Sequence, residues 1–415
     1  MRVAMLSWEY PPKSVGGLAQ HVYDLTSAIA DHGAEVHLFT VGEPGIPEYE
    51  RVNGVHVYRI TPYNVSSPDF TTWVSQFNVA IMEKAIPVMN EHGNWNVVHA
   101  HDWLVAYAAR ALKHAYKIPM VATIHATEYG RNHGLHNDSQ RHISDVEWWL
   151  GYEAWRVICC SHYMEGEIKF VFQIPDDKLV VIPNGVDPKN YAQKSDKLSR
   201  NDYAAAGEKI VFYVGRLVRE KGVQVLLDAV PKVLAYMPNT KFIIAGKGPH
   251  LNELQNQAAR MGISKRVYFT GYIDDYTRNS LFSWSDVAVF PSLYEPFGIV
   301  ALEAMAAQSP VVVSDAGGLS EIVIHNIDGL KTYPGNPRSL ADNILAILGN
   351  PKLGIQLKQN AYRKIKQHFN WHDIAAKTLE VYKDVYEEHR GQNWYVRQGG
   401  IFGRFSRVLG KNAPN

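Results

Sequence analysis

Short runs rich in Val and Ile alternate with segments whose apolar residues recur every three or four positions, and the alternation continues from Val3 to Val313 with one interruption. The strand-like runs of the first half are Val3–Leu6, Val36–Phe39, Val55–Ile60, Val97–Ala100, Met120–Ile124, Val157–Cys160 and Val180–Ile182. Between them lie helical patterns such as Leu18–Ala30. There Leu18, Val22, Leu25 and Ile29 are spaced four, three and four apart, one apolar stripe of a 3.6-residue period. A chain patterned this way builds parallel sheets covered by helices on both faces.

The interruption is Asp187–Glu208, DPKNYAQKSDKLSRNDYAAAGE, which is polar and has no strand-like run. It reads as a linker. The alternation then restarts with Ile210–Val214, Phe242–Ala245, Val267–Phe269, Val287–Phe290 and Val311–Val313. The expected organisation is a domain at 1–187, a linker at 188–208 and a second domain at 209–370. A helix follows at 371–390, and a basic, aromatic tail at 391–415. Each half has enough units for its own doubly wound sheet. Ligands are then expected at the carboxyl ends of the strands, in a cleft between the domains.

A chain of 415 residues is too long for one ordinary core, which agrees with this division. Forty-two basic residues against forty-one acidic ones leave a formal charge of +1, too little for a protein whose work is neutralising nucleic acid. The two cysteines, Cys159 and Cys160, are adjacent, and neighbours in a strand point to opposite faces. An ordinary disulfide between them is not expected, and the pair suits a reducing compartment. The opening residues MRVAMLSWEYPP show no leader pattern, and no stretch approaches twenty apolar residues. The N-x-S matches at Asn64 and Asn137 therefore carry little weight, and a soluble cytoplasmic protein is expected.

Three constellations carry chemistry. Ser14-Val15-Gly16-Gly17-Leu18 lies after the first strand and opens the first helix. Paired glycines let a ligand approach the backbone, and a helix start favours an anion, although a tight turn alone would also use them. Arg216 and Lys221, in YVGRLVREKG, follow the first strand of the second half, where a fork and a point charge can meet phosphoryl oxygens. Taken singly, each would pass as a solvated surface charge. The string Tyr294-Glu295-Pro296-Phe297-Gly298-Ile299-Val300-Ala301-Leu302-Glu303 follows the strand Val287–Phe290. Gly298 opens a helix there, with Glu295 just before it and Glu303 about one and a half turns in. Carboxylates so placed suit sugar or ribose hydroxyls, whereas stabilisation of the helix dipole accounts for Glu295 alone.

The E-x7-E spacing of Glu295 and Glu303, the Gly16-Gly17-Leu18 loop, the Arg216/Lys221 pair and Pro183-Asn184-Gly185-Val186-Asp187 together resemble retaining GT-B glycosyltransferases. The SWEYPP start, His101-Asp102-Trp103 and YEPFGIVALEAMA are similar to bacterial and archaeal glycogen synthases and related family 4 and 5 enzymes. The resemblance covers the chain to about residue 390. It implies two Rossmann-like domains facing a cleft, with the last helix crossing back to the first. That helix carries an apolar stripe from Trp371 through Ile374, Ala375, Thr378, Leu379, Tyr382 and Val385 to Tyr386, which needs a partner.

By the same resemblance, the amides of Gly16 and Gly17 approach a donor diphosphate, and Arg216 and Lys221 neutralise it as it leaves. Glu303 accepts from the ribose hydroxyls. Glu295, with the amides of Phe297 and Gly298, holds hydroxyls of the transferred sugar, and Ile299 and Val300 complete the donor side. His125, in TIHATEYG, stands beside the reacting sugar, and Asp102 and Trp103 line the acceptor side. The base and ribose lie near Gly271, Tyr272 and Ile273. The implied reaction moves glucose from ADP- or UDP-glucose to a saccharide, most simply an α-1,4-glucan, with no metal and no other cofactor. A sugar phosphate or lipid-linked acceptor, or a non-catalytic sugar binder, stands as the alternative.

One departure is plain. Glycogen synthases of bacteria usually carry K-x-G-G-L, and here Lys13 stands one position early, in K-S-V-G-G-L. Seven histidines between His99 and His142 invite a metal site, but no H-E-x-x-H or C-x2-C frames them. Gly246-Lys247-Gly248 lacks the third glycine of a dinucleotide loop and reads as a turn, and no P-loop string exists. The tail mixes Trp394, Tyr395, Phe402 and Phe405 with basic residues and no acid. It reads as a strap or as a contact to glucan or an anionic membrane surface. The oligomeric state and the donor base are left open by the sequence.

Overall fold

A strand buried on both faces has to be apolar throughout, and the two strands that open the two halves meet that demand. In the first, Val3, Ala4, Met5 and Leu6 are fully buried. In a computed structural model, which describes residues 1–392 except Asn64 and Asp196, these strands lie inside two sheets. The first sheet contains β1 (Arg2–Leu6), β2 (Glu35–Val41), β3 (Tyr49–Val52), β4 (Val55–Ile60), β5 (Val97–His101), β6 (Met120–Ile124), β7 (Arg156–Cys159) and β8 (Leu179–Val181). Their order is β3-β4-β2-β1-β5-β6-β7-β8. The second contains β9 (Lys209–Val214), β10 (Thr240–Ala245), β11 (Val267–Gly271), β12 (Val287–Phe290), β13 (Val311–Ser314) and β14 (Leu330–Thr332). Its order is β11-β10-β9-β12-β13-β14. The direction of winding reverses beside β1 and again beside β9, which opens a crevice at the carboxyl end of each sheet.

All pairings are parallel except β3 with β4. That hairpin was not expected from the sequence. It turns at Asn53-Gly54, both at positive φ (47° and 83°), as a two-residue loop between antiparallel strands requires. β14 was also missed, being only three residues long. β7 ends at Cys159, one residue earlier than expected, and Cys159 and Cys160 are both buried and reduced.

The segment 188–208 has no strand among its described residues and forms two short 3-10 turns, Pro188–Tyr191 and Arg200–Asp202. After the helix Pro351–His368 the chain returns to the first domain as the helix Trp371–Gly391. Trp371, Ile374, Ala375, Leu379, Tyr382 and Val385 are buried in one cluster with Leu18, Val22, Leu25 and Ile29. The Tyr382 hydroxyl lies 2.6 Å from His99 Nδ1, and Arg156 pairs with Glu388. At the return point the Val186 amide donates to the Phe369 carbonyl at 2.8 Å. A Cβ on Gly185 would sit 2.8 Å from the Trp371 ring, so this approach needs glycine. Residues 393–415 of the expected tail lie outside the described residues.

Because this helix completes the first core, a chain ending at Phe369 should lose cooperative folding of the first domain as well as activity. Tyr382→Ala in the full chain should cost about 3–5 kcal/mol, the range for a large buried aromatic. Denaturant unfolding followed by circular dichroism checks both, and a soluble, fully folded truncation would contradict the assignment.

Candidate active site

The loop after β1 is organised by a carboxylate. Glu9 is buried, and its Oε2 accepts from the amides of Val15 (2.7 Å) and Gly16 (3.1 Å). Burial raises its pKa; the two amides and the Arg216 charge work in the opposite direction. The Gly16 amide, expected to face a donor phosphate, is therefore engaged by Glu9. Gly17 is the first residue of the helix Gly17–Asp31, which has no side-chain cap, so its amide is the first of the pair without an acceptor among the described residues. A Cβ on Gly17 would lie 2.9 Å from Ile299 Cδ1 of the second domain. Lys13 turns away and pairs with Glu43 at 2.7 Å.

Ile299 begins the helix Ile299–Ala306, so the helix starts of the two domains meet across the cleft. Gly298 caps that helix at φ 112°, a conformation that an L side chain rarely adopts. The Lys221 ammonium is not a free cation. Its Nζ lies 2.9 and 2.8 Å from the two oxygens of Glu295, and Ser292 Oγ donates to Glu295 Oε2 at 3.0 Å. Backbone packing sets this pair: a Cβ on Gly222 would fall 1.9 Å from the Pro291 carbonyl oxygen. Arg216 is exposed on the same rim.

Glu303 is buried below that rim, 3.8 Å from Arg278 Nε. Burial raises its pKa, with Arg278 and the Tyr191 hydroxyl opposing. Phe297 is buried, with its ring centroid 6.3 Å from that of Phe369, while Ile299 and Val300 are half-buried at the cleft. Tyr272 is exposed, with the Lys247 ammonium 5.6 Å above its ring, and Ile273 beside it is half-buried. Gly246 and Gly248 serve close packing, since added Cβ atoms would lie 1.9 and 2.2 Å from the carbonyl oxygens of Gly215 and Leu217.

On the first domain, Asp102 Oδ1 accepts from the His125 amide at 2.8 Å, which fixes the loop after β6. Burial pushes the Asp102 carboxyl up to about 6 and the His125 imidazole down to about 3. The Arg131 charge acts on both, lowering each. Trp103, expected to line the acceptor side, is instead part of the core, edge-on to Phe70 at 6.1 Å. It opens the 3-10 turn Trp103–Val105, all three residues of which are buried. His101 Nδ1 lies 3.1 Å from His125 Nε2, and the His21 ring stands 4.6 Å from the His125 ring. Ring nitrogens of His21, His101 and His125 lie within 4.8 Å of one another, a grouping that no sequence motif marks.

Direct bonds hold the cleft walls together. Ser161 Oγ donates to the Pro296 carbonyl at 2.6 Å, and the Tyr294 hydroxyl donates to Glu167 at 2.9 Å. Glu321 accepts from the amides of His162 (3.0 Å) and Tyr163 (2.7 Å), the start of the helix His162–Phe172.

Comparison with known proteins decides what this cleft belongs to. Residues 15–190 match the family described as Glycosyltransferase Family 4, and residues 178–364 match Glycosyl transferases group 1. An uncharacterised glycosyltransferase of Methanocaldococcus jannaschii is 39% identical over 93% of this chain and 99% of its own. The glycogen synthase of Mycobacterium tuberculosis is 35% identical over 92% of this chain and 94% of its own. The chain is a GT-B glycosyltransferase. Among solved structures, the sucrose-phosphate synthase of Thermosynechococcus elongatus superposes with a TM-score of 0.81 at 26% identity, covering 94% of this chain and all of that one.

In this glycosyltransferase, sequence reasoning brought Glu295, Lys221, Gly17 and Gly298 to one cleft but missed several of their neighbours. Glu9 stood in the SWEYPP string without a role. Arg278, Tyr191 and Glu321 have no local motif and reach the cleft only through the fold.

The buried imidazoles also set how the glycosyltransferase responds to acid. Burial holds the His99 ring well below its ordinary value of 6.5. Below that pH the unfolded chain takes up a proton there and the folded chain does not. The stability tied to His99 is therefore present above pH 6.5 and lost as pH falls. The stability advantage of the native chain over His99→Gln should shrink by up to about 1.4 kcal/mol per pH unit as pH is lowered from 6.5. Denaturant melts at a series of pH values measure it, and a constant difference would contradict it.

Proposed function

We propose that this chain transfers glucose from a nucleotide diphosphate sugar, ADP- or UDP-glucose, to a saccharide hydroxyl with retention of the anomeric configuration. An α-1,4-glucan is the favoured acceptor. The observation that carries the reading is the Lys221–Glu295 pair lying at the mouth of a helix start that meets the Gly17 helix start across the cleft. The barrier is loss of a diphosphate from a carbon acquiring positive character. Fixed positive groups aimed at the departing oxygens are the device that lowers it. Lys221, Arg216, the Gly17 amide and the helix start at Gly298 supply those groups. Glu295 holds the Lys221 charge in place and accepts from sugar hydroxyls, with the Phe297 and Gly298 amides beside it.

Glu303 accepts from the ribose hydroxyls, and Arg278 and Tyr191 set its direction. The base lies toward Tyr272 and Ile273. His125 borders the reacting sugar, and Asp102 shapes the acceptor side by fixing the His125 loop. The leaving phosphate itself receives the acceptor proton, so no second carboxylate is needed on the far side of the sugar. Similarity to a glycogen synthase over nearly the full chain supports the glucan acceptor. Similarity to a sucrose-phosphate synthase, together with the displaced Lys13, keeps a sugar-phosphate acceptor as the second reading.

Leaving-group stabilisation by protein groups alone predicts full activity in excess EDTA. Lys221→Ala should lower kcat at least about a hundredfold, the effect of losing one fixed donor, with a smaller change in donor KM. Glu303→Gln should chiefly weaken nucleotide binding. Steady-state kinetics separate these, and an absolute Mg²⁺ requirement or a near-normal kcat for Lys221→Ala would overturn the mechanism. A product screen of ADP- and UDP-glucose against glucan primers, hexoses and hexose phosphates identifies donor and acceptor. A chain that releases no nucleotide with any pair is a binder and not a transferase.

A further inference from the structure

At the amino end of the first sheet, away from the cleft, a second group of titratable side chains converges. Glu35 and His37 are two residues apart on β2 and so share a face of the sheet. His56 is the registered partner of His37 on β4 and lies on that face too. The His37 and His56 rings stack with centroids 4.5 Å apart and planes 6° apart. The last residue of the helix Phe70–His92 joins them: the His92 ring is 4.6 Å from that of His37, and its Nδ1 is 4.0 Å from Glu35 Oε1.

The remaining polar atom of each of the first three side chains is already held from behind. His37 Nδ1 is 3.2 Å from the Tyr58 hydroxyl, and His56 Nδ1 is 2.9 Å from the Tyr49 hydroxyl. Arg2 donates to Glu35 Oε2 at 2.8 Å, leaving Oε1 at 2.9 Å from His37 Nε2. Ligand atoms of Glu35, His37 and His56 all lie within 4.8 Å of one another. Metal-bound imidazoles are oriented this way, with the second nitrogen fixed by a neighbour so that the first points at the ion.

We propose that Glu35, His37 and His56, completed by His92, form a Zn²⁺ site that staples β2, β4 and the helix Phe70–His92. Three imidazoles and one carboxylate make a tetrahedral set of the kind zinc takes, and imidazole-rich sites disfavour Mg²⁺ and Ca²⁺. Bonds of about 2.0–2.1 Å put neighbouring ligands about 3.3 Å apart, close to the present Glu35–His37 spacing. His92 lies outside that 4.8 Å grouping, its ring 6.3 Å from that of His56, so both rings have to swing inward to complete the set. The half-exposed Glu35 and His92 side chains leave both the room and an entry path. The ion would be structural, since Glu35 opens β2 at the end of the sheet opposite the cleft.

The test is calorimetric Zn²⁺ titration of the chelator-stripped full chain and of the double variant Glu35→Gln/His56→Gln. The native chain should bind one equivalent more than the variant, or bind it at least tenfold more tightly, and Zn²⁺ should raise the melting temperature of the native chain alone. Should the double variant fail to fold, the single change His92→Gln at the exposed ligand should weaken the same event at least threefold. Equal stoichiometry and affinity in the native chain and the folded variants would overturn the site. So would binding that survives these changes and vanishes in His101→Gln, which would place the ion in the cleft cluster.

Discussion

The chain passes between its two domains twice, at residues 186–208 and again at 369–371, and the two passages are tied by the hydrogen bond from Val186 to the Phe369 carbonyl. Everything in the cleft takes its position from that junction. It fixes the sheets with their carboxyl ends face to face, sets Gly17 against Ile299, and brings Tyr294 to Glu167 and Glu321 to the helix His162–Phe172. The apolar face of the last helix contributes most of the free energy that holds the junction closed. A hydrogen bond alone, worth about 1 kcal/mol net, would not.

Charge in the cleft is arranged by desolvation as much as by pairing. Glu9, Asp102 and Glu303 are all pushed toward their neutral forms by burial, and so is Asp24, which reaches about 7 on the helix that carries His21. The imidazoles of His21, His99 and His101 are likewise held neutral. The Lys221–Glu295 ion pair therefore stands among buried carboxyls and imidazoles held toward their neutral forms.

The fold was legible because its signal is periodic. Twelve of the strands follow from β-branched runs alone, and the two that did not, β3 and β14, are short and lie at sheet edges where burial imposes little pattern. The Asn53-Gly54 pair is the sequence sign of the turn that joins β3 to β4. The site was legible where it is local. Glu295, Gly298 and Glu303 lie within nine residues of one another in sequence, so spacing along a helix start is enough to find them. Arg278 and Tyr191 become neighbours of that string only after folding. Trp103, expected on the acceptor side, is buried against Phe70, and a residue following a strand gives no sequence sign of whether it turns to the cleft or to the core.

Glu9 has a further consequence for how ligands enter. A loop whose amides already hold a carboxylate keeps its shape without a guest, so little ordering entropy is lost when one arrives. An incoming oxygen that uses the Gly16 amide competes with a group tethered by its own backbone and present at a fixed, very high local concentration. The tether thus reserves the Gly16 amide and leaves the Gly17 amide as the open donor of the pair.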